Sequence, residues 1–405
     1  MLGRRSRDAD EAATKPLEVV IAGGGVGALE CALALHKLAR GRVKLTLVAP
    51  RAEFTYQPMA VLEPFVRRAP RQLPLARFAS ELDMDFVQDS VVAVDGERGV
   101  LRTAAEHVLP YDALVIAVGA RTGEALANAV TVDIPRTHSS LRGLIEELEG
   151  GSVRSVAFVA PSPTWPLPVY ELALLLREHA REGEIDVELT IITAETGPLA
   201  VFGDAVSAAV TEILQRAAIA IIAGAEVTES AGELILRPGG QSLRFDRVLA
   251  LPRLRGPGIE GLPADADGFL PVTELGELVG MARVFAVGDA TDFPVKYGAI
   301  AAEQADIVAA AIAAAAGARV TLPEFDGIVH GFLLLGRRQP RLHFSARIEG
   351  GVARESRTSD TPTHAPEAKV AAQYLGPYLD ELWASGARWL TGPWTGGDSA
   401  GGDPL

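Results

Sequence analysis

Val19-Val20-Ile21-Ala22-Gly23-Gly24-Gly25-Val26-Gly27-Ala28 decides the fold. An apolar, β-branched run enters three consecutive glycines. A helical pattern then continues to Leu38, with Leu29, Leu33 and Leu35 among its apolar positions. The spacing is GxGxxA, placed where a strand ends and a helix opens. Gly23 permits a tight turn. Gly25 lets backbone N–H groups approach a pyrophosphate, and Ala28 is small enough for the helix to lie on the strand. Gly24 and Gly27 complete the loop, and the helix N-terminus offers partial positive charge to an anion. A glycine-rich turn without a ligand has the same local string, so the strand–turn–helix setting favours a dinucleotide. Val43 to Val48 is the next apolar strand, which makes a β-α-β unit and begins a parallel sheet.

The same grammar recurs downstream. Residues 56–74, rich in Pro and Arg, read as irregular. Phe86 to Asp95 and Val100 to Leu109 alternate like a hairpin. Tyr111-Asp112-Ala113-Leu114-Val115-Ile116-Ala117-Val118-Gly119-Ala120-Arg121 is a buried strand ending at a glycine. A second β-α-β begins at Ser155, with a helix over 169–179 and a strand over 187–193. A helix over 205–216, a hairpin over 226–238 and a strand over 248–251 follow. Val284 to Val287 is one more buried strand, ending in Gly288-Asp289 before an Ala-rich helix over 298–316. The pattern predicts an α/β protein of two doubly wound Rossmann-like domains, the second inserted in the first, with a C-terminal appendage. The expected boundaries are a disordered tail 1–16, a first domain 17–125 that resumes at 252–324, an insert 126–251, and a C-terminal segment 325–405 with a disordered Gly-rich end.

Composition narrows the partners. The chain has 405 residues, with 38 Lys+Arg against 52 Asp+Glu and a net charge of −14. Phosphate-backbone binding needs a basic surface, so nucleic acid is not expected as a partner. The one cysteine, Cys31, excludes an internal disulfide, a dithiol pair and a cysteine-based metal cluster. Its place among Leu29, Leu33 and Leu35 marks it as a packing residue. No metal site is expected. The N-terminal residues lack the apolar core of a signal peptide. No run reaches about 18 uninterrupted apolar residues. The expected location is cytoplasmic.

The order GGGVGALE, YDALVIAVGAR, VFAVGDATDFPVKYGAIAAEQAD resembles the two-dinucleotide-domain flavoproteins of the pyridine nucleotide–disulfide oxidoreductase superfamily. Within it, the chain is most similar to the branch of sulfide:quinone oxidoreductases and type II NADH dehydrogenases. The likeness covers about residues 17–325, with a weaker echo in KVAAQYLGPYL. The resemblance implies FAD. It places Gly23, Gly25 and Ala28 at the pyrophosphate, Arg51 beside it, and Val91 at a backbone contact to adenine. It makes Gly119 the second glycine motif and Asp289 the ribitol aspartate, with Gly288 before it. It places Pro58 on a loop that approaches the flavin. The segment Lys296-Tyr297-Gly298 would precede a helix aimed at the flavin's pyrimidine edge, where Lys296 could add positive charge. Glu171 matches a glutamate near the flavin–nicotinamide face and could relay a proton.

Three departures redirect the function. Ala49-Pro50 stand where an acid would bind the adenosine ribose, and Arg51 follows as either a phosphate contact or a surface side chain. No cysteine lies where the superfamily keeps its redox thiols, so cysteine-persulfide chemistry is not expected. The second nucleotide loop, Ala160-Pro161-Ser162-Pro163-Thr164-Trp165-Pro166-Leu167-Pro168, has no glycine and four prolines. Proline lacks the N–H that a pyrophosphate needs, and Trp165 crowds the approach, so NAD(P)H is disfavoured. Ser162 and Thr164 can still donate, and Glu195 is either a ribose ligand or a helix-flanking charge.

The C-terminal segment joins Arg337, Arg338, Arg341 and Arg347 to an apolar run, with Trp383, Trp389 and Trp394 beyond. Such a segment can dock a helix on an anionic bilayer, cap the first domain, or form a dimer interface. A homodimer or a monomer is expected. Three functions remain in view. The first is an FAD-dependent oxidoreductase passing electrons from a small donor to a quinone or other small acceptor. The second is an NAD(P)H-dependent flavin reductase with an atypical loop. The third is a non-enzymatic flavin-binding scaffold.

Overall fold

The computed structural model describes residues 15–57, 59–66, 72–132, 138–161, 165–337, 341–363 and 369–385. Two five-stranded sheets organise it, each wholly parallel. The first runs Val284–Ala286, Ala113–Ile116, Leu17–Ala22, Val43–Val48, Asp85–Val87. The second runs Val130–Thr131, Arg247–Ala250, Ser155–Ala160, Glu188–Thr193, Ile219–Ile222. In the first, the chain starts at the middle strand, winds one way, then reverses; in the second, the edge strand Val130–Thr131 comes first and the same winding and reversal start from the middle strand Ser155–Ala160. The reversal opens a crevice at the carboxyl ends of the two central strands, where doubly wound sheets take their ligands. In the first sheet that crevice lies between Leu17–Ala22 and Ala113–Ile116, at the Gly23 loop.

The sheets are buried on both faces, which is why their strands read as continuous apolar runs rather than alternating ones. Ile21, Leu47, Val115 and Ile116 are fully buried, as are Val156, Ile191 and Ile192. The helix Val26–Ala39 packs against Gly298–Ala315 on one face of the first sheet. Gly298–Ala315 is long and apolar enough to cross a bilayer. Its Ala305, Val308, Ala309 and Ile312 instead belong to the core that contains Leu29 and Leu35.

The chain crosses between the two sheets twice. Arg121–Gly123 and Arg253–Arg255 pair antiparallel at those crossings, and Arg121 Nε donates to Gly256 O at 3.0 Å. Phe86 to Asp95 proves to be two strands rather than one arm of a hairpin. Asp85–Val87 is the edge of the parallel sheet, and Val91–Asp95 pairs with Val100–Thr103 in a separate antiparallel unit. Asp89 divides them, its carboxylate accepting from the backbone of Ser90 and Ala105. The turn chemistry of one side chain outweighs the continuous alternation.

The C-terminal segment straddles both halves. Ile328–Leu334, Arg341–Glu349 and Val352–Ser359 form an antiparallel sheet. Its Val329, Leu333, Phe344 and Ile348 join the core of the second sheet. The helix Leu375–Ala384 sends Leu375, Leu379 and Leu382 into the core of the first. The stretch from 328 to 348, a candidate for a membrane-docking helix, therefore holds the strands Ile328–Leu334 and Arg341–Glu349. Period-two burial of apolar residues against the inserted domain wins over the basic, amphipathic composition.

Candidate functional site

The Gly23 loop divides its glycines by purpose. Gly23 has φ +137°, and a Cβ there would lie 2.1 Å from Ala117 O, so the fold itself requires glycine. Its N–H is held by Val48 O at 2.7 Å. At Gly24 a Cβ would meet Leu75 Cδ1 at 2.7 Å. At Gly27 it would meet Val287 Cγ2 at 3.0 Å and Ala301 O at 3.4 Å, which lets the first helix lie close on the Gly298–Ala315 helix. Ala28 is fully buried beneath them.

Gly25 differs from these. Its φ of −97° and ψ of −169° suit any residue, and nothing lies within 4 Å of where its Cβ would be. Neither strain nor crowding within the chain demands glycine there. The open space over this backbone leaves room for a group to approach it closely. Gly119 faces open space across the crevice, with φ +74°. The cradle has the shape and the N–H donors that a pyrophosphate needs, and so fits a dinucleotide.

The Gly288 turn closes the same end of the sheet. Its φ is +70°, and its N–H is held by Gln304 Oε1 at 2.7 Å. Asp289 stands next to it, half-buried. Burial pushes its carboxyl upward, and the Lys296 ammonium opposes that shift. Lys296 is itself buried, with Nζ bonded to Thr291 O at 2.5 Å and lying 3.7 Å from the Phe269 ring centroid. Burial brings it down to about 8, against the pull of Asp289, Asp292 and Asp265. Lys296 thus sits behind the Gly288-Asp289 turn rather than in a surface loop. Arg51 is exposed just beyond the second strand. Val91 begins an antiparallel strand. Pro58 lies outside the described residues.

Tyr297 caps the Gly298–Ala315 helix and turns its ring toward the C-terminal sheet. Its hydroxyl donates to His330 O at 2.9 Å and also contacts Lys369 O. Trp165 stacks on the Tyr297 ring with centroids 4.3 Å apart and planes 13° apart. A Cβ on Gly298 would meet Val370 at 2.9 Å, so residues 369–370 lie directly on this helix start. Glu171 is 1% exposed. Its Oε2 takes Lys369 Nζ at 2.6 Å, and its Oε1 accepts Leu334 N–H at 3.0 Å. Burial raises Glu171 and lowers Lys369, and their mutual attraction works against both shifts. Glu171 alone carried the expectation of proton transfer. Lys369 is the partner that spacing does not reveal, since it lies 198 residues away.

The second crevice is built differently. The helix Leu167–Glu182 starts among prolines and has few free N–H groups to offer. Glu195 is half-buried and spends Oε1 on Val201 N–H at 2.8 Å. Burial raises its carboxyl to about 7. It is neither a free ribose ligand nor a solvated surface charge. Ser162 and Thr164 lie outside the described residues. Cys31 is fully buried against Leu29 and Leu35, and burial pushes its thiol far up, which makes it inert. Among the C-terminal basic residues, Arg337 is spent on Glu178 and Glu182, and Arg347 on Asp326 O. Arg338, Trp389 and Trp394 lie outside the described residues.

Two parallel sheets nested through paired crossings, with a pyrophosphate cradle on the first, define a two-dinucleotide-domain oxidoreductase. The chain belongs to the pyridine nucleotide-disulphide oxidoreductase family, whose profile matches residues 17–318, and the cofactor of that family is FAD. It is 26% identical over 189 residues to a sulfide-quinone reductase of Aquifex aeolicus, a match covering 44% of this chain and 43% of that protein. The match therefore spans under half the length of that relative. The solved sulfide:quinone oxidoreductase of Aquifex aeolicus superposes with a TM-score of 0.78 at 20% identity, covering 92% of this chain and 91% of that one. A ferredoxin reductase of Rhodopseudomonas palustris superposes with a TM-score of 0.61 at 18% identity, covering 82% and 83%. An NAD-dependent persulfide reductase of A. fulgidus does so at 0.60 and 17%, covering 82% and 64%. These likenesses show a shared fold.

Proposed function

We propose that this chain is an FAD-dependent oxidoreductase that passes electrons to a quinone or other small planar acceptor, without a cysteine couple and without NAD(P)H as its donor. The observation that carries the reading is the Trp165–Tyr297 stack at the start of the Gly298–Ala315 helix, with Lys369 bound to Glu171 behind it. Trp165, Phe202, Tyr297, Phe332 and Phe344 surround this junction. Such an aromatic surrounding is better matched to a flat, weakly polar acceptor than to a charged dinucleotide. The second nucleotide crevice offers prolines and an already engaged Glu195.

Bound FAD supplies two-electron transfer. Gly23, Gly25 and the N-terminus of the Val26–Ala39 helix would hold its pyrophosphate, and Asp289 its ribitol. From behind, Lys296 opposes the upward push that burial puts on the Asp289 carboxyl. The start of the Gly298–Ala315 helix favours negative charge near it. Glu171 and Lys369 keep an exchangeable proton in a buried place, available to an acceptor that must gain protons with its electrons. The chain then works in the cytoplasm or against a membrane surface that supplies quinone. Arg337 and Arg347 are not free to make that contact.

The experiment is anaerobic. The flavin is photoreduced in the purified protein and mixed with a water-soluble ubiquinone analogue. Return of the oxidised flavin spectrum with one quinol formed per flavin is the expected result. A reduced flavin that persists in excess quinone overturns the acceptor assignment.

A further inference from the structure

Two carboxyl groups face each other between the helices Val26–Ala39 and Gly298–Ala315, one of them fully buried and the other half-buried. Glu30 sits on the Val26–Ala39 helix and is fully buried. Asp306 sits on the Gly298–Ala315 helix, and the two side chains are hydrogen-bonded to each other. Glu30 already spends both oxygens on a third element. Oε1 accepts Tyr374 N–H at 2.8 Å and Oε2 accepts Leu375 N–H at 2.5 Å. These are the first N–H groups of the Leu375–Ala384 helix, which has no side-chain cap of its own. Glu30 caps that helix from 344 residues away.

A carboxylate that accepts on both oxygens, facing an anionic helix cap's natural donors, is an acceptor toward Asp306 as well. The hydrogen between the two acids must then come from Asp306. Its Oδ1 is buried with no hydrogen-bond partner among the described residues, so no donor stabilises a negative charge at that oxygen. Two adjacent buried carboxylates repel too strongly for both to ionise.

We propose that Asp306 is held as a neutral carboxylic acid that donates to Glu30, and that this proton latches the C-terminal helix onto the two helices that frame the nucleotide site. Losing the proton sets a second negative charge against Glu30 and weakens its hold on the helix. The consequence reaches the functional junction. Trp383 of the latched helix packs edge-on against Tyr56, with centroids 5.2 Å apart, and Lys369 lies six residues before the helix.

The charged and titratable neighbours are few. Glu303 adds negative charge from the same helix as Asp306, and Cys31 and Tyr374 lie beside the pair. Lys37 sits over the Tyr374 ring, 5.1 Å from its centroid. Burial, then Glu30 and Glu303, raise Asp306 to about 9. An acid raised in the folded state makes that state bind the extra proton. The latch is therefore strongest in acid, weakens steadily as pH rises toward about 9, and changes no further above it, where both states have lost the proton.

The test is hydrogen exchange on the flavin-loaded protein between pH 7 and 10.5. Protection of the amides of residues 374–384 is corrected for the intrinsic rate and referred to the core amides of residues 19–22. In the wild type, relative protection should fall by up to about tenfold per pH unit from pH 7 to about 9 and level off above it, the behaviour of one linked proton. In Asp306→Asn, whose amide donates at every pH, it should stay flat. In Glu30→Gln it should be low throughout. A flat wild-type profile, or a wild-type slope retained in Asp306→Asn, overturns the proposal. The wild-type profile decides by itself if a variant does not fold.

Discussion

Lys369 Nζ lies 2.6 Å from Glu171 Oε2, and the two side chains are 5% and 1% exposed. They join the C-terminal segment to the helix Leu167–Glu182, which follows the central strand of the second sheet. Burial penalises each charge; the partner offsets that penalty on both, and the Leu334 N–H helps on Glu171. Removing one partner takes that offset from the buried charge of the other. Glu171→Gln or Lys369→Met alone should cost about 3–5 kcal/mol in urea unfolding, and the double variant should recover most of that loss. Additive losses in the double-mutant cycle would show that the pair is not coupled.

Gly23 and Gly25 should separate folding from cofactor retention. Gly23→Ala meets Ala117 O in a left-handed backbone conformation. It should lower the stability of the cofactor-free protein by at least about 1–3 kcal/mol. Gly25→Val enters open space with ordinary dihedrals. It should leave the cofactor-free melting temperature unchanged while the ratio of flavin to protein absorbance falls at least tenfold. Full flavin retention in Gly25→Val would remove the cradle from the site.

Much of this arrangement is legible in the residues. Parallel strands buried on both faces leave long apolar runs, and the glycines that end them mark the crevice. The likeness of three ordered motifs extends that to the Asp289 turn and to FAD. What the sequence conceals is pairing at long range. Nothing near Glu171 announces Lys369, and nothing near Glu30 announces the helix it caps. Both acids do leave one trace, a lone carboxylate among apolar neighbours on a helix. Strand Ile219–Ile222 escapes notice because it is short and follows directly on a helix. The C-terminal sheet hides behind its arginines, which look like a surface patch until Glu178 and Glu182 are placed opposite Arg337.

Asp289 and Lys296 should answer to different measurements. Asp289→Ala removes the side chain proposed to hold the ribitol and should lower flavin content at every pH. Lys296→Met acts through stability. The buried ammonium titrates at about 8, below the ordinary lysine value, so the folded state binds fewer protons than the unfolded chain above that pH. The charging penalty is therefore full below about 8 and is relieved as pH rises toward the ordinary lysine value. Wild-type stability, measured against Lys296→Met by urea unfolding, should rise across that window. A difference that stays constant from pH 7 to 10.5 would mean that Lys296 keeps an ordinary proton affinity.

The donor side is tested by NADH itself. A nicotinamide dinucleotide needs N–H groups at the second loop and a free acid at the end of the second strand. Leu167–Glu182 begins among prolines, and Glu195 is already bound to Val201 N–H. The Trp165–Tyr297 stack fills the start of the Gly298–Ala315 helix. In an anaerobic titration the oxidised flavin band should survive a large excess of NADH, yet bleach with a chemical reductant such as dithionite. Replacing Trp165 with Ala opens the stack but restores neither the missing N–H donors nor the free acid, so resistance to NADH should persist in that variant. Stoichiometric bleaching of the wild type would make the protein an NADH-dependent flavin reductase. Bleaching in Trp165→Ala alone would show that one indole, rather than the loop chemistry, excludes the nicotinamide.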